Sequence, residues 1–70
     1  MQGLTPRERE VIALVSLGRT NKEIASELLI SARTVHRHVD GILRKTGCGN
    51  RTEAARYALE HGIAAAPANR

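Results

Sequence analysis

The sequence predicts an all-α fold of four helices, and two features of the chain carry this prediction. Apolar residues recur at intervals of three and four, the period of an amphipathic helix, and no segment alternates like a half-buried strand. Capping residues precede these periodic segments and glycines follow them. The signals place the helices at about residues 6–17, 21–29, 32–46 and 51–61. A chain of 70 residues provides one domain, which we expect to span residues 4–62, with a disordered tail over 63–70.

The first two helices each begin with a capping box, in which a Thr precedes a Glu by three residues. In helix one, Thr5 and Glu8 flank Pro6, which suits the first helical position, and Gly18 ends the helix. In helix two, Thr20 stands three residues before a Glu. The apolar stripes of the two helices are Val11, Ile12, Leu14 and Val15, then Ile24, Ala25, Leu28 and Leu29.

Helix three begins after Ser31, a favoured capping residue, and ends at Gly47. Its core stripe consists of Val35, Val39, Ile42 and Leu43. Gly41 lies inside the helix, where glycine costs up to about 1 kcal/mol relative to alanine. The sequence offers no reason for this glycine.

Helix four begins after Asn50, which forms a third capping box with Glu53, and ends at Gly62. Small residues lie on more than one side of it, so one stripe closes the core and another is free to meet a second copy of the chain. The predicted dimer interface consists of Ala54, Tyr57, Ala58 and His61. Alanine as a plain helix former on a wet surface is the alternative.

The connection between helices two and three predicts a helix-turn-helix motif over about residues 21–40. Leu29 and Ile30 are the only residues between the last turn of helix two and the Ser31 cap, and two helices joined by so short an apolar turn are typical of this motif. We expect Ala25 to allow close packing, Ile30 to fill the turn and Val35 to anchor the second helix.

The positive charge of the chain is concentrated in one segment. The formal net charge is +4, and residues 1–30 contribute nothing to it because four basic and four acidic side chains balance there. Residues 31–51 carry five Arg or Lys against a single acid. Such a field suits a phosphate backbone, although a solvated basic helix face is an equally good interpretation of charge alone. With Tyr57 as the one aromatic residue, binding of single strands by base stacking is disfavoured.

Helix three presents a polar face opposite its core stripe, at about 100° per residue. A helix in this position reads base edges in the major groove with its N-terminal residues. The predicted base contacts are Arg33, His36, Arg37 and Asp40. The predicted phosphate contacts are Lys22, Ser31, Thr34, His38, Arg44, Lys45 and Arg51. For Asp40 we favour a pairing with Arg37 or Arg44 over base reading, and His38 is equally consistent with a packed histidine.

Other classes of function lack support in the sequence. There are no paired carboxylates, no phosphate-binding glycine loop and no set of nucleophile and base, so we expect no enzyme and no cofactor. Cys48 and the three histidines lack zinc-finger spacing, so we expect no metal. The chain has neither a signal peptide nor an apolar run of membrane-spanning length, which predicts a cytoplasmic protein.

Several short segments carry a family resemblance that covers about residues 4–62. They are Leu4-Thr5-Pro6-Arg7-Glu8-Arg9-Glu10-Val11, Gly18, Asn21-Lys22-Glu23-Ile24-Ala25, Ser31, Thr34-Val35, His38-Val39, Ile42, Lys45 and Asn50-Arg51-Thr52-Glu53-Ala54. As a set they resemble the LuxR-type (GerE/NarL-like) helix-turn-helix domain of bacterial transcription regulators. At His36 the family commonly has Lys, so a contact from this position is expected to be weaker or more dependent on pH.

The resemblance implies sequence-specific binding of double-stranded DNA, with helix three reading the bases and helix four supporting a homodimer on an inverted repeat. It also implies an upstream receiver or ligand-binding domain, RNA polymerase as a further partner and no small molecule in this domain. Two alternatives stay open at this point: the last domain of a sigma factor, and a helix-turn-helix module that binds protein. The three Arg on the outer face of helix three argue against the second.

Overall fold

The computed structural model describes residues 3–63, and within them it contains four α-helices and no strand. The helices are α1 (Pro6–Ser16), α2 (Asn21–Leu28), α3 (Ala32–Thr46) and α4 (Arg51–Glu60). The predicted all-α fold is confirmed, and every predicted helix end lies within one residue of the observed one. Residues 64–70 of the predicted tail lie outside the described residues. Ile63 belongs to the folded part, because its N–H donates to the Ala58 carbonyl at 2.8 Å and its side chain packs against the core.

The capping boxes of α1 and α2 are complete, whereas that of α4 is only half formed. In α1 the Thr5 hydroxyl accepts from the Glu8 N–H, and the Glu8 carboxylate accepts from the Thr5 N–H; α2 repeats the pattern. In α4 the Asn50 side chain accepts from the Glu53 N–H at 2.9 Å, but the Glu53 carboxylate accepts from the Gly49 N–H at 2.6 Å. The third box was therefore half wrong, because the chain entering α4 directs a different N–H to that carboxylate.

The turn between α2 and α3 contains the one described non-glycine residue with a positive φ. Leu29 ends α2 at φ 59°, a left-handed conformation that costs an L-residue free energy. Its side chain is 90% exposed. The next residue turns inward: the Ile30 N–H donates to the Ala25 carbonyl at 3.0 Å, and its side chain packs against the core as predicted. This turn sets the direction in which α3 leaves.

All four helices contribute to one core. Val11 and Ile12 of α1, Ile24 of α2 and Val35 of α3 are fully buried. Helix α4 closes this core with the small side chains of Ala54, which is 2% exposed, and Ala58, which is 0% exposed. The prediction that these two alanines form a dimer interface is wrong, because they face the core of their own chain. The sequence did not distinguish this side of α4 from the other side that carries alanine.

Candidate nucleic-acid interface

The outer face of α3 brings the four predicted base-contacting residues together. Val35, Val39 and Ile42 turn one side of the helix into the core. Arg33, Arg37 and Asp40 are exposed on the opposite side and His36 is exposed on the flank. Arg44 continues this exposed side by one turn. These five residues, 33, 36, 37, 40 and 44, form what we call the outer face, and it carries three guanidinium groups and one carboxylate.

The carboxylate of the outer face has a partner that was not predicted. The Asp40 Oδ2 lies 3.5 Å from the His36 Nε2, one helical turn earlier. The prediction that Asp40 pairs with Arg37 or Arg44 is therefore wrong. Both side chains of the pair are largely exposed, at 67% for His36 and 52% for Asp40, so the pair is weak and both groups remain accessible to a ligand.

Hydroxyl groups surround the N-terminal end of α3. The Ser31 Oγ accepts from the Thr34 N–H at 3.0 Å, and the two hydroxyl oxygens lie 2.9 Å apart. Free N–H groups of the first helical turn and hydroxyl groups together suit an anion. Lys22, in the first turn of α2, is exposed.

Two of the predicted phosphate contacts are engaged within the protein instead. The Arg51 guanidinium donates to the Asn21 Oδ1 at 2.6 Å and to the Arg19 carbonyl at 2.7 Å, and it thereby ties the start of α4 to the start of α2. The Lys45 Nζ donates to the Glu8 Oε1 at 2.8 Å. Of the other predicted phosphate contacts, Arg44 is exposed and His38 is half-buried.

The ion pair between α1 and α3 explains the glycine inside α3. Glu8 is 7% exposed, and its Oε1 accepts from both the Lys45 ammonium and the Thr5 N–H, the latter at 2.9 Å. A Cβ at Gly41 would lie 2.9 Å from the Glu8 Oε2, closer than side chains normally approach. Gly41 therefore leaves the space that the carboxylate occupies. Burial raises the pKa of Glu8, but the hydrogen bonds from Lys45 and Thr5 and the Lys45 charge outweigh it and leave the pKa below its usual value.

Of the remaining predicted dimer residues on α4, His61 is exposed and Tyr57 is half-buried. The rings of Tyr57 and His61 stack on each other, with centroids 3.9 Å apart, and the His61 Nδ1 lies 3.0 Å from the Tyr57 carbonyl. Leu59 is 64% exposed and was not predicted as a contact.

None of the helices within residues 3–63 combines the length and the apolar character that crossing a bilayer requires. In the same part of the chain, no three His, Cys, Asp or Glu side chains gather as metal ligands do. Cys48 is a free, half-buried thiol.

Comparison with known proteins places this sequence in a family. The family described as bacterial regulatory proteins, luxR family, matches residues 2–58. The chain is 51% identical over 59 residues to the response regulator Rre1 of Synechocystis sp.. The matched segment covers 84% of this chain and 26% of that protein. The chain is 47% identical over 57 residues to the transcriptional regulatory protein LiaR of Bacillus subtilis, covering 81% and 27%, and 43% identical over 60 residues to the response regulator protein VraR of Staphylococcus aureus, covering 86% and 29%. The chain thus spans little more than a quarter of the length of these relatives.

Proposed function

Because the chain belongs to the luxR family of bacterial regulatory proteins, we propose that it reads a specific sequence of double-stranded DNA by placing α3 in the major groove. Membership of the family makes it a DNA-binding domain of transcription regulators, which is not an enzyme class. The observation that supports the reading role is the outer face, where three Arg side chains are exposed and no apolar residue intervenes. Base edges in the major groove offer the acceptors that such donors need.

The residues of the outer face have distinct roles in this proposal. Arg37 and Arg33 each present a guanidinium fork that matches the O6 and N7 acceptors of guanine. Asp40 accepts from a cytosine amino group once it separates from His36, and His36 then donates to a base or phosphate oxygen. Because the His36–Asp40 pair is exposed and long, separating it costs little.

Contacts to the DNA backbone come from the end of α3 and its surroundings. Ser31 and Thr34 supply hydroxyl groups, and the exposed ammonium of Lys22 and guanidinium of Arg44 supply charge. His38 is half-buried and contributes at the edge. Such contacts fix the position of the protein without reading sequence and make its affinity depend on salt. Arg51 and Lys45 act through their bonds inside the protein.

We further propose a homodimer on DNA through the exposed side of α4 that contains Leu59. Leu59 and Tyr57 are two positions apart, so they point in nearly opposite directions around the helix. The Tyr57 and His61 rings already cover each other, whereas Leu59 is 64% exposed. A twofold dimer of this kind presents two recognition helices to half-sites about one helical turn apart, which predicts an inverted-repeat operator.

The named functions of the relatives suggest the setting. Rre1 and VraR are named response regulators, and the chain corresponds to little more than a quarter of each. We propose that it serves as the output domain of such a regulator in the cytoplasm, where an upstream domain controls its access to DNA and RNA polymerase is the partner that responds.

Selection of binding sites from a random duplex pool tests the proposal. The expected result is an enriched inverted repeat whose half-sites lie about one helical turn apart. Leu59→Lys is expected to enrich single half-sites instead, whereas Tyr57→Ala, on the other side of α4, keeps the repeat. A folded wild-type domain that enriches no sequence would contradict the reading role of α3, and a reversed outcome for the two variants would assign the dimer to the Tyr57 side.

A further inference from the structure

We infer that Glu8 of α1 is a positioning residue for the recognition helix, and that its bond to Lys45 fixes the rotation of α3 about its own axis. The inference rests on the proposed function of α3, because it assigns a role in that function to a residue on another helix. Glu8 itself is buried and does not belong to the outer face.

The contacts of the Glu8 carboxylate connect two helices at one point. The Oε1 accepts from the Thr5 N–H at the start of α1 and from the Lys45 ammonium in the last turn of α3. The Oε2 lies against the backbone of α3 at Gly41, 2.9 Å from where a Cβ would stand. Gly41 and Lys45 are four residues apart and so lie one above the other on the same flank of α3. The Arg44 Nη2 lies 3.9 Å from the same Cβ position, but the cation of α3 that bonds to the carboxylate is Lys45.

Apolar packing does not fix the rotation of α3 as closely as this contact does. Val35, Val39 and Ile42 determine which side of α3 faces the core, but the hydrophobic effect has no direction. A hydrogen-bonded ion pair has both a direction and a preferred length. Buried polar pairs contribute to a unique arrangement in some proteins even where their net stabilisation is small. Since Gly41 lies four residues after Arg37, and so one turn along the same side of α3, the contact lies beside the outer face.

The burial of Lys45 argues against a direct role in holding phosphate. Its side chain is 28% exposed, and the side chain of Glu8 is 9% exposed. A phosphate that took the ammonium would leave a buried carboxylate without its partner, which is strongly unfavourable. Arg44, one residue earlier, is exposed, so it serves as the reference for a cation that can hold phosphate.

The chain also contains a matched control for Glu8. Glu23 occupies the same position in the capping box of α2, with its Oε1 2.9 Å from the Thr20 N–H, but the bond is exposed and the structure pairs no Lys or Arg with Glu23 within residues 3–63. Glu8→Gln and Glu23→Gln therefore remove the same charge from the same local motif. Only the first change removes a negative charge that is paired with a cation of α3.

The test combines NMR of the free domain with DNA binding. We expect Gly41→Ala and Glu8→Gln to shift the backbone amide resonances of all five residues of the outer face, while Glu23→Gln shifts only those of its own turn. Gly41→Ala retains every charge, and alanine favours the helix over glycine, so this variant stays folded even if Glu8→Gln does not. On the operator, Gly41→Ala is expected to reduce the ratio of specific to non-specific affinity by about fivefold or more, the lower end of the loss of one base contact.

The dependence of affinity on salt separates positioning from phosphate binding. Lys45→Met is expected to lower specificity and leave the salt slope of non-specific binding unchanged, whereas Arg44→Met reduces that slope by about 0.9 and keeps the specificity ratio. A slope reduced by Lys45→Met, or α3 resonances unmoved by Gly41→Ala, would overturn the inference. If the resonances move but the wild type binds no sequence specifically, the positioning of α3 stands and the proposed function falls.

Discussion

The two sides of α3 differ in how firmly the protein holds them. The inner side is fully engaged: Val35 is 0% exposed, Ile42 is 1% exposed, and the flank next to them is bonded to Glu8. The outer side has one weak pair, His36 with Asp40 at 3.5 Å. One helix therefore carries stability on its inside and, in our proposal, recognition on its outside. Substitutions on the two sides should change different measured quantities.

The largest effect is expected inside, from Ile42→Ala. Truncating a buried isoleucine to alanine costs about 2–5 kcal/mol, and a domain of this size has only about 3–5 kcal/mol of stability in total. We expect largely unfolded protein by circular dichroism at 25 °C, with loss of DNA binding as a consequence. Ile42→Val, which costs about 0.5–1.5 kcal/mol, should remain folded and bind DNA. Cooperative unfolding of Ile42→Ala at the wild-type temperature would contradict the burial assigned to this side.

On the outer side, Arg37→Glu is expected to weaken DNA binding strongly without unfolding the domain. The change removes a base contact worth about 1–3 kcal/mol and places a negative charge near phosphates, so affinity should fall about 100-fold by fluorescence anisotropy. The melting temperature should stay close to that of the wild type. Arg9→Glu, the same charge reversal at an exposed position of α1, serves as the control and should bind at nearly wild-type affinity.

The ion pair of Glu8 with Lys45, which lies between the two sides of α3, makes the stability of the fold depend on pH. The pKa of Glu8 is lowered in the folded protein, while the pKa of a glutamate in an unfolded chain is about 4.3. The ion pair therefore stabilises the fold above that value, and its contribution is lost as the pH falls through the lowered pKa. At pH 7 we expect Glu8→Gln to cost about 2 kcal/mol, the strength of a hydrogen bond to a charged group.

Denaturant melts from pH 7 to pH 3 measure this contribution. The stability difference between wild type and Glu8→Gln should shrink as the pH falls below about 4.3. Glu23→Gln should differ little from wild type over the whole range. A constant difference for Glu8→Gln would mean that the variant acts through packing and not through the charge of the pair.

The smallest effect is expected at the turn that leads into α3, and it is a stabilisation. Leu29 has a φ of 59° and a side chain that is 90% exposed, so glycine relieves the left-handed strain and loses little burial. We expect Leu29→Gly to gain about 1 kcal/mol in thermal or chemical unfolding. Ser26→Gly, at an exposed helical position of α2, should instead be destabilising. Loss of stability in both variants would show that Leu29 makes contacts we have not recognised.

Local signals explain why the sequence predicted the helices well. A cap such as Thr5 or Thr20 and a glycine such as Gly47 act within a few residues, so the chain itself records where a helix begins and ends. The outer face of α3 followed from periodicity for the same reason. The base and phosphate contacts on it remain predictions.

Contacts between distant segments were the part that the sequence did not predict. Glu8 and Lys45 are 37 residues apart, and the sequence offered no reason for Gly41, beside which the Glu8 carboxylate lies. The prediction of which side of α4 faces the core failed for a different reason. Its alanines lie on two sides, so its periodicity does not say that Ala54 and Ala58 face the core while Leu59 is exposed.

The measurement that most directly tests the reading role of the outer face is site selection with Arg37→Gln beside the wild type. An Arg fork matches guanine, and a Gln amide in the same place matches the N6 and N7 groups of adenine. We predict that the selected operators differ at one base pair in each half-site, guanine becoming adenine, and agree elsewhere. An identical operator bound more weakly by the variant would contradict the account, because it would show that Arg37 supplies charge to the backbone and does not read a base.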